Sequence, residues 1–164
     1  MTNEAPHESP EAKKAVFRRL VDVYARAAVD ALEELVAPDY VGHTAAGDRD
    51  LAEFRSSIIN FHAIFDYDEN SFVVEDQFVE GDKVATRMTA HVRMRDTGEP
   101  ATMLGINLAI IRGGRIHEEW NTWELLKPSG QDEGSGAAAA RTTQPTMKQP
   151  RPQPSGASAS HPAA

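Results

Sequence analysis

An α+β fold, with three amino-terminal helices covering one face of a strongly curved antiparallel sheet, is what this sequence predicts. Two observations carry the expectation. In the first half of the chain apolar residues recur at spacings of three and four; in the second half they alternate. The alternating segments are joined by tight glycine turns, Gly81-Asp82 and Gly113-Gly114, so successive strands must pair antiparallel. Such a sheet leaves one apolar face for the helices to cover, and a polar side chain on that face becomes a pocket group.

The elements follow in order. "SPEAKKAVFRRLVDVYARAAV" predicts a helix with Ser9 as N-cap, Pro10 in the first position and Glu11 at the positive end. Its apolar stripe is Val16, Leu20, Val23 and Ala27, widened by Phe17, Val21 and Tyr24. "DALEELVAP" predicts a second helix, capped by Asp30 with Glu33 closing a capping box, and stopped by Pro38. "DYVGHT" reads as a short extended piece. A third helix, capped at Asp48, carries Leu51, Phe54, Ile58, Phe61 and Phe65 on one side.

Four long strands complete the pattern. "SFVVEDQFVEGDKVATRMTAHVRMRD" holds two of them, "ATMLGINLAII" the third and "RIHEEWNTWEL" the fourth. In the last, alternation places His117, Glu119, Asn121 and Trp123 on one face and Ile116, Glu118, Trp120 and Thr122 on the other. The folded unit is expected over residues 10–126. Residues 1–9, and the Pro/Ala/Ser/Gly-rich tail of residues 127–164, hold too few apolar side chains to offset the entropy of ordering them, and are expected to be disordered.

The 164 residues are enough for one domain with a real core. With no cysteine, the chain has no disulfide, thiolate metal site or thiol nucleophile. A net charge of −8 disfavours a nonspecific nucleic-acid surface. No basic-then-apolar leader and no bilayer-length apolar run is present, so a soluble, cytoplasmic protein with neither nucleic-acid nor membrane partner is expected. His43, His91 and His117 lie in different elements without ligand spacing, and no phosphate-binding glycine loop precedes a helix. No metal or cofactor is expected.

Three stretches, "LVAPDYVGH", "VEGDKVATRM" and "GINLAIIRGGRIHEEWNTWELL", resemble the SnoaL-like polyketide cyclase branch of the nuclear-transport-factor-2-like superfamily. The resemblance runs roughly from Ala12 to Leu126. It implies a cone-shaped fold whose interior is a ligand pocket, although the fold hosts cyclases, isomerases, epoxide hydrolases, dehydratases and inert binders alike. In the family's aldol-condensing members the closing strand reads E-H-W-D, and its Asp is the general acid/base. That position is Asn121 here, the His before the Trp is Glu119, and a partner His of the preceding strand is Asn107. An amide does not shuttle protons near neutral pH but can orient a carbonyl.

These readings nominate His43, Glu119, Asn121 and Asn107 as catalytic residues. The imidazole or the carboxylate would handle the proton, and the amides would hold a substrate oxygen. Tyr24, Phe61, Phe65, Met88 and Trp123 are nominated as the substrate-binding wall, with Met88 standing where relatives often carry Trp. Glu119 could instead pair with Arg112 or Arg115 across the hairpin. His91 shares a face with Arg87 and Arg93, which suggests a wet or dimer-facing surface.

The resemblance implies a cofactor-independent cyclase or isomerase closing a ring in a hydrophobic, polyketide-like intermediate. Its alternatives are an epoxide-opening or dehydrating enzyme, and a non-catalytic binding or dimerisation module. A homodimer through the open sheet face, with Val84, Met94, Leu108 and Ile110 upon it, is expected.

Overall fold

In a computed structural model, residues 9–126 are described; of the segments expected to be disordered, 1–9 and 127–164, all but Ser9 lie outside them. Helix α1 spans Pro10–Arg26. The Ser9 side chain accepts from the Ala12 N–H, and Ala27 closes the helix in the left-handed region. Its inner stripe includes Phe17, Leu20 and Val23, all buried. Lys13, also buried, reaches the turn that follows strand β4 (Phe72–Glu80), where its Nζ donates to Gly81 O at 2.9 Å and Asp82 Oδ1 at 3.0 Å.

The second helical segment is shorter than its sequence suggests. It is a 3-10 turn, Val29–Ala31, followed by one α-helical turn, α2 (Leu32–Leu35), with no side-chain cap. Asp30 is drawn away to pair with Arg55. Strand β1 then runs Val36–Thr44, and Pro38 lies within it rather than stopping a helix. The register slips between Val36 and Val41, and such an irregularity tolerates a residue without an N–H. A small hairpin, β2 (Gly47–Arg49), takes up Asp48, so helix α3 (Leu51–Ile64) is capped by Asp50 instead. Asp50 and Glu53 form a reciprocal capping box.

Strands β3 (Phe65–Asp66), β5 (Lys83–Met94), β6 (Pro100–Arg112) and β7 (Arg115–Leu126) complete a seven-stranded sheet with β1, β2 and β4. Its order is β2-β1-β7-β6-β5, with β3 and β4 both pairing β5. The meander β4-β5-β6-β7 is antiparallel, as its glycine turns require. The β1–β7 pair is parallel, which makes the sheet mixed. No hairpin joins those two strands, so no turn dictated their relative direction. Three helices against this curved, open sheet form an α+β cone.

The main core joins α1, α2 and α3 to the inner face through Phe17, Leu20, Leu32, Leu35, Phe54, Ile58, Val84 and Ile111. Val84 is therefore a core residue and not part of the open face. Met94 shares the inward alternation of Val84, Met88, Ala90 and Val92. Among the described residues no helix is long and apolar enough to cross a membrane.

Candidate functional site in the cone

The strand registers align a polar row across the inner face. Gln77 pairs with Thr86, Thr86 with Asn107, and Asn107 with Asn121. Glu119 lies two residues before Asn121, on the same face. The register between β6 and β7 slips at Ile110/Ile111, opposite His117. Ile116 therefore joins Glu119 on the buried side, and His117 turns out to face Asp39 at 3.6 Å. Simple alternation across that slip put both in the wrong phase.

Glu119 is 2% exposed, which for a carboxylate demands partners. Its Oε1 accepts from the Asn107 and Asn121 side-chain amides, the latter at 3.1 Å. Its Oε2 accepts from the Tyr40 hydroxyl at 2.7 Å, and an Arg49 nitrogen stands 3.7 Å away. The ion-pair partner is thus neither Arg112, which binds Asp82, nor Arg115, which reaches Glu33 O. One N–H of each amide is spent on the carboxylate.

Tyr40 and Arg49 were not nominated from the sequence. Tyr40 alternates inward on β1, yet its partner lies 79 positions away, and the parallel β1–β7 pairing that joins them has no local signature. Arg49 comes from the β1–β2 hairpin. Its guanidinium carbon lies 4.1 Å from the Phe54 ring centre, a cation–π contact, and one nitrogen donates to Ser57 Oγ at 3.0 Å. Its Nε and Nη2 are buried without hydrogen-bond partners, as is Asn107 Oδ1. Gly42 makes this packing possible: a Cβ there would stand 2.8 Å from Arg49 Nε and 2.9 Å from Tyr40 Cζ.

Three spaces adjoin the cluster. The innermost, about 20 Å³, is walled by Phe17, Leu20, Val21, Tyr24, Phe72, Met88 and Trp123, with Asn107 and Glu119 as its polar end. A second of similar size lies among Tyr24, Phe61, Tyr67, Phe72, Met103 and Trp123. The third is an open cleft of about 510 Å³, bounded by the β1–β2 hairpin, Ser57, Phe61, Asn121 and Trp123. Tyr24 and Trp123 border all three. The Trp123 ring lies directly over Gly105, where a Cβ would come within 2.5 Å of it.

Burial, then the negative charge of Glu119, raises the Tyr24 and Tyr40 hydroxyls well above the usual phenol range, with Arg49 opposing in both cases. Both are neutral donors at any physiological pH.

His43 and Phe65 do not join the others. His43 lies on the opposite face of the sheet, stacked on Trp120 with ring centres 4.7 Å apart. Its ring nitrogens meet Asp48 Oδ1 at 2.7 Å and Glu118 Oε1 at 2.9 Å. Hydrogen bonds to Glu118 and then Asp48 raise its pKa. The odd-even phase of β1, obscured by its register slip, decides this side. Phe65 packs behind Phe61 and Tyr67, against the small cluster of Ala90, Val92 and Met103. His91 is exposed on the outer face, beside Thr102. Among the described residues no group of three or more His, Asp or Glu is placed to hold a metal ion.

The SnoaL-like domain model matches residues 17–119, which is more than half of the chain and includes Tyr24, Tyr40, Arg49, Asn107 and Glu119. This chain belongs to the SnoaL-like domain family. The domain is similar to IdmH of Streptomyces antibioticus, a candidate polyketide cyclase. The two are 25% identical over 68% of this chain and 91% of that one, with a TM-score of 0.59. A candidate polyketide cyclase from Acidithiobacillus ferrooxidans shares the fold at 18% identity, with 76% and 92% coverage and a TM-score of 0.61. So does a ketosteroid isomerase-like protein of Catenulispora acidiphila, solved with trimethylamine, at 14% identity, 65% and 83% coverage and a TM-score of 0.57. No curated protein matches the chain.

Proposed function

We propose that this SnoaL-like domain is a cyclase or isomerase that closes a ring in a hydrophobic, polyketide-like intermediate, with Glu119 as the proton carrier. The observation that carries the reading is a carboxylate 2% exposed at the polar end of an apolar cavity, fixed by Tyr40, Asn107 and Asn121. A base held in one orientation inside a water-poor site loses little to reorganisation when a substrate proton arrives. Arg49, 3.7 Å from Glu119, offsets negative charge that develops on a substrate oxygen. Tyr24, Met88 and Trp123 form the wall against which a flexible chain folds, and Phe61 stands at the cleft. Proton transfer and charge stabilisation both come from side chains, so the reaction class needs no cofactor. The similarity to IdmH, a candidate polyketide cyclase, supports the substrate class.

Asn107 and Asn121 are proposed as positioning residues, which set the carboxylate, and not as proton carriers. His43 takes no part in this scheme. A second reading, epoxide opening or dehydration, draws on the inner space of about 20 Å³, which suits one water molecule beside Glu119.

The test is Glu119→Gln, which keeps the shape and removes the base. Turnover of linear polyketide precursors should fall by at least about a hundredfold, the scale of acid/base catalysis. The melting temperature should show that the variant folds. A folded variant with wild-type turnover would reject Glu119 as the proton carrier.

A further inference from the structure

The polar end of the inner cavity is short of a hydrogen-bond donor. Asn107 is 3% exposed and lines the cavity, and its amide nitrogen is committed to Glu119 Oε1. Its Oδ1 is buried with no hydrogen-bond partner. Reversing the amide gives no relief, because it would turn Oδ1 against the carboxylate oxygen and lose the bond. The neighbour in the row repeats the pattern: Gln77 gives its nitrogen to Thr86 Oγ1 at 3.2 Å and Lys14 O at 3.4 Å, leaving Oε1 buried and unpartnered. Glu119 adds carboxylate oxygens, which are acceptors too. A buried acceptor without a donor is costly, and a ligand that supplies the donor recovers that cost on binding.

We infer that the substrate is a hydroxyl-bearing conjugated or aromatic molecule whose O–H donates to Asn107 Oδ1 beside Glu119. The inference rests on the pocket reading above and narrows its substrate class. An alcohol, phenol or enol can fill the position. A ketone or ether cannot, since each brings only acceptors and leaves Asn107 Oδ1 unpaired. The inner space of about 20 Å³ accommodates the hydroxyl group itself. The body of the molecule then lies along Tyr24 and Trp123, which border both this space and the open cleft of about 510 Å³. Selectivity of this kind is steep, because the wrong ligand leaves the buried oxygen unpaired.

The experiment compares 2-naphthol, 2-methoxynaphthalene and 2-acetonaphthone by isothermal titration against the full chain. The wild-type protein is expected to bind the naphthol at least about tenfold more tightly than either of the other two. Asn107→Leu, similar in size, should erase that preference. If Asn107→Leu does not fold, Asn107→Ala, which also removes the acceptor, should erase the preference. Binding of all three with equal affinity to the wild type would overturn the inference and leave the pocket standing, with Oδ1 served by water. Binding of none would overturn the pocket reading, and this inference with it.

Discussion

Glu119 is surrounded by groups that the chain delivers from four separate strands, and its environment depends on small residues as much as on polar ones. Gly42 is the clearest case. A methyl group there would press on the Tyr40 phenol and on Arg49 Nε, both of which border the carboxylate. Gly42→Ala is therefore expected to cost roughly 1–3 kcal/mol of stability, the scale of overpacking, and to lower turnover beyond what the stability loss explains. Denaturant melts together with a rate assay check this; an unchanged midpoint would show that Tyr40 and Arg49 have room to yield. The tyrosines give a second residue-scale prediction. All three in the chain are raised: Tyr67 by burial to about 12, and Tyr24 and Tyr40 further still, by burial and then by Glu119. A raised folded pKa means stability that is whole below the unfolded value near 10 and declines as pH rises from there through the folded values. Tyrosinate absorbance at 295 nm should thus appear only together with loss of the near-ultraviolet dichroism. A tyrosine that ionises near pH 10 in the folded state would contradict this.

At the scale of elements, what was legible in the sequence was whatever local chemistry decides. The cap of α1 at Ser9, the glycine turns of the meander and the inward alternation of Met88, Asn107, Glu119 and Trp123 are all properties of a few adjacent residues. What was not legible depended on partners far away. Asp30 reads as a cap until Arg55, 25 positions on, draws it aside. Asp48 and Asp50 both precede the third helix, and only the β1–β2 hairpin decides between them. His43 has the face it has because the β1–β7 register slips between Val36 and Val41. The hidden partner Tyr40 lies in that slip, and Arg49 reaches the site through the β1–β2 pairing, opposite Gly42. Two substitutions test the assignments. Asp50→Ala should lower stability by about 1 kcal/mol through loss of the α3 capping box, whereas Asp48→Ala should leave the helix cap intact. Equal losses from the two would mean that the cap is shared. Lys13→Ala removes two hydrogen bonds from a buried ammonium that ties α1 to the β4–β5 turn, at an expected cost of roughly 1.5–3 kcal/mol. Urea melts read both effects, and a silent Lys13→Ala would show that helix packing alone holds the turn.

At the scale of the whole molecule, the helices among the described residues cover one face of the sheet and leave the other exposed. That face carries Val41 at 37%, Phe78 at 68%, Ile106 at 54% and Trp120 at 40% exposure. The corresponding sequence expectation named Val84 and Met94, which the alternation of β5 turns inward, and Ile110, which shares the outward phase but is buried; Leu108 lies on the outward phase and is half-buried. In register, Phe78, Ala85, Leu108 and Trp120 run across β4, β5, β6 and β7, and we propose this apolar row as an association site. A second copy of the chain is the simplest occupant. Two such faces related by a two-fold axis would bury Ile106 and Trp120. His43 sits in the same surface between Asp48 and Glu118. Its pKa is raised by those carboxylates, so its charge-assisted contacts are fully present below the unfolded value near 6.5 and fade as pH climbs through the raised one. Trp120→Glu places a charge at the centre of the proposed interface while leaving the inner cavity untouched. Sedimentation velocity at micromolar concentration should then show a dimer for the natural chain and a monomer for the variant. A natural chain that sediments as a monomer throughout would leave the bare face without its proposed occupant.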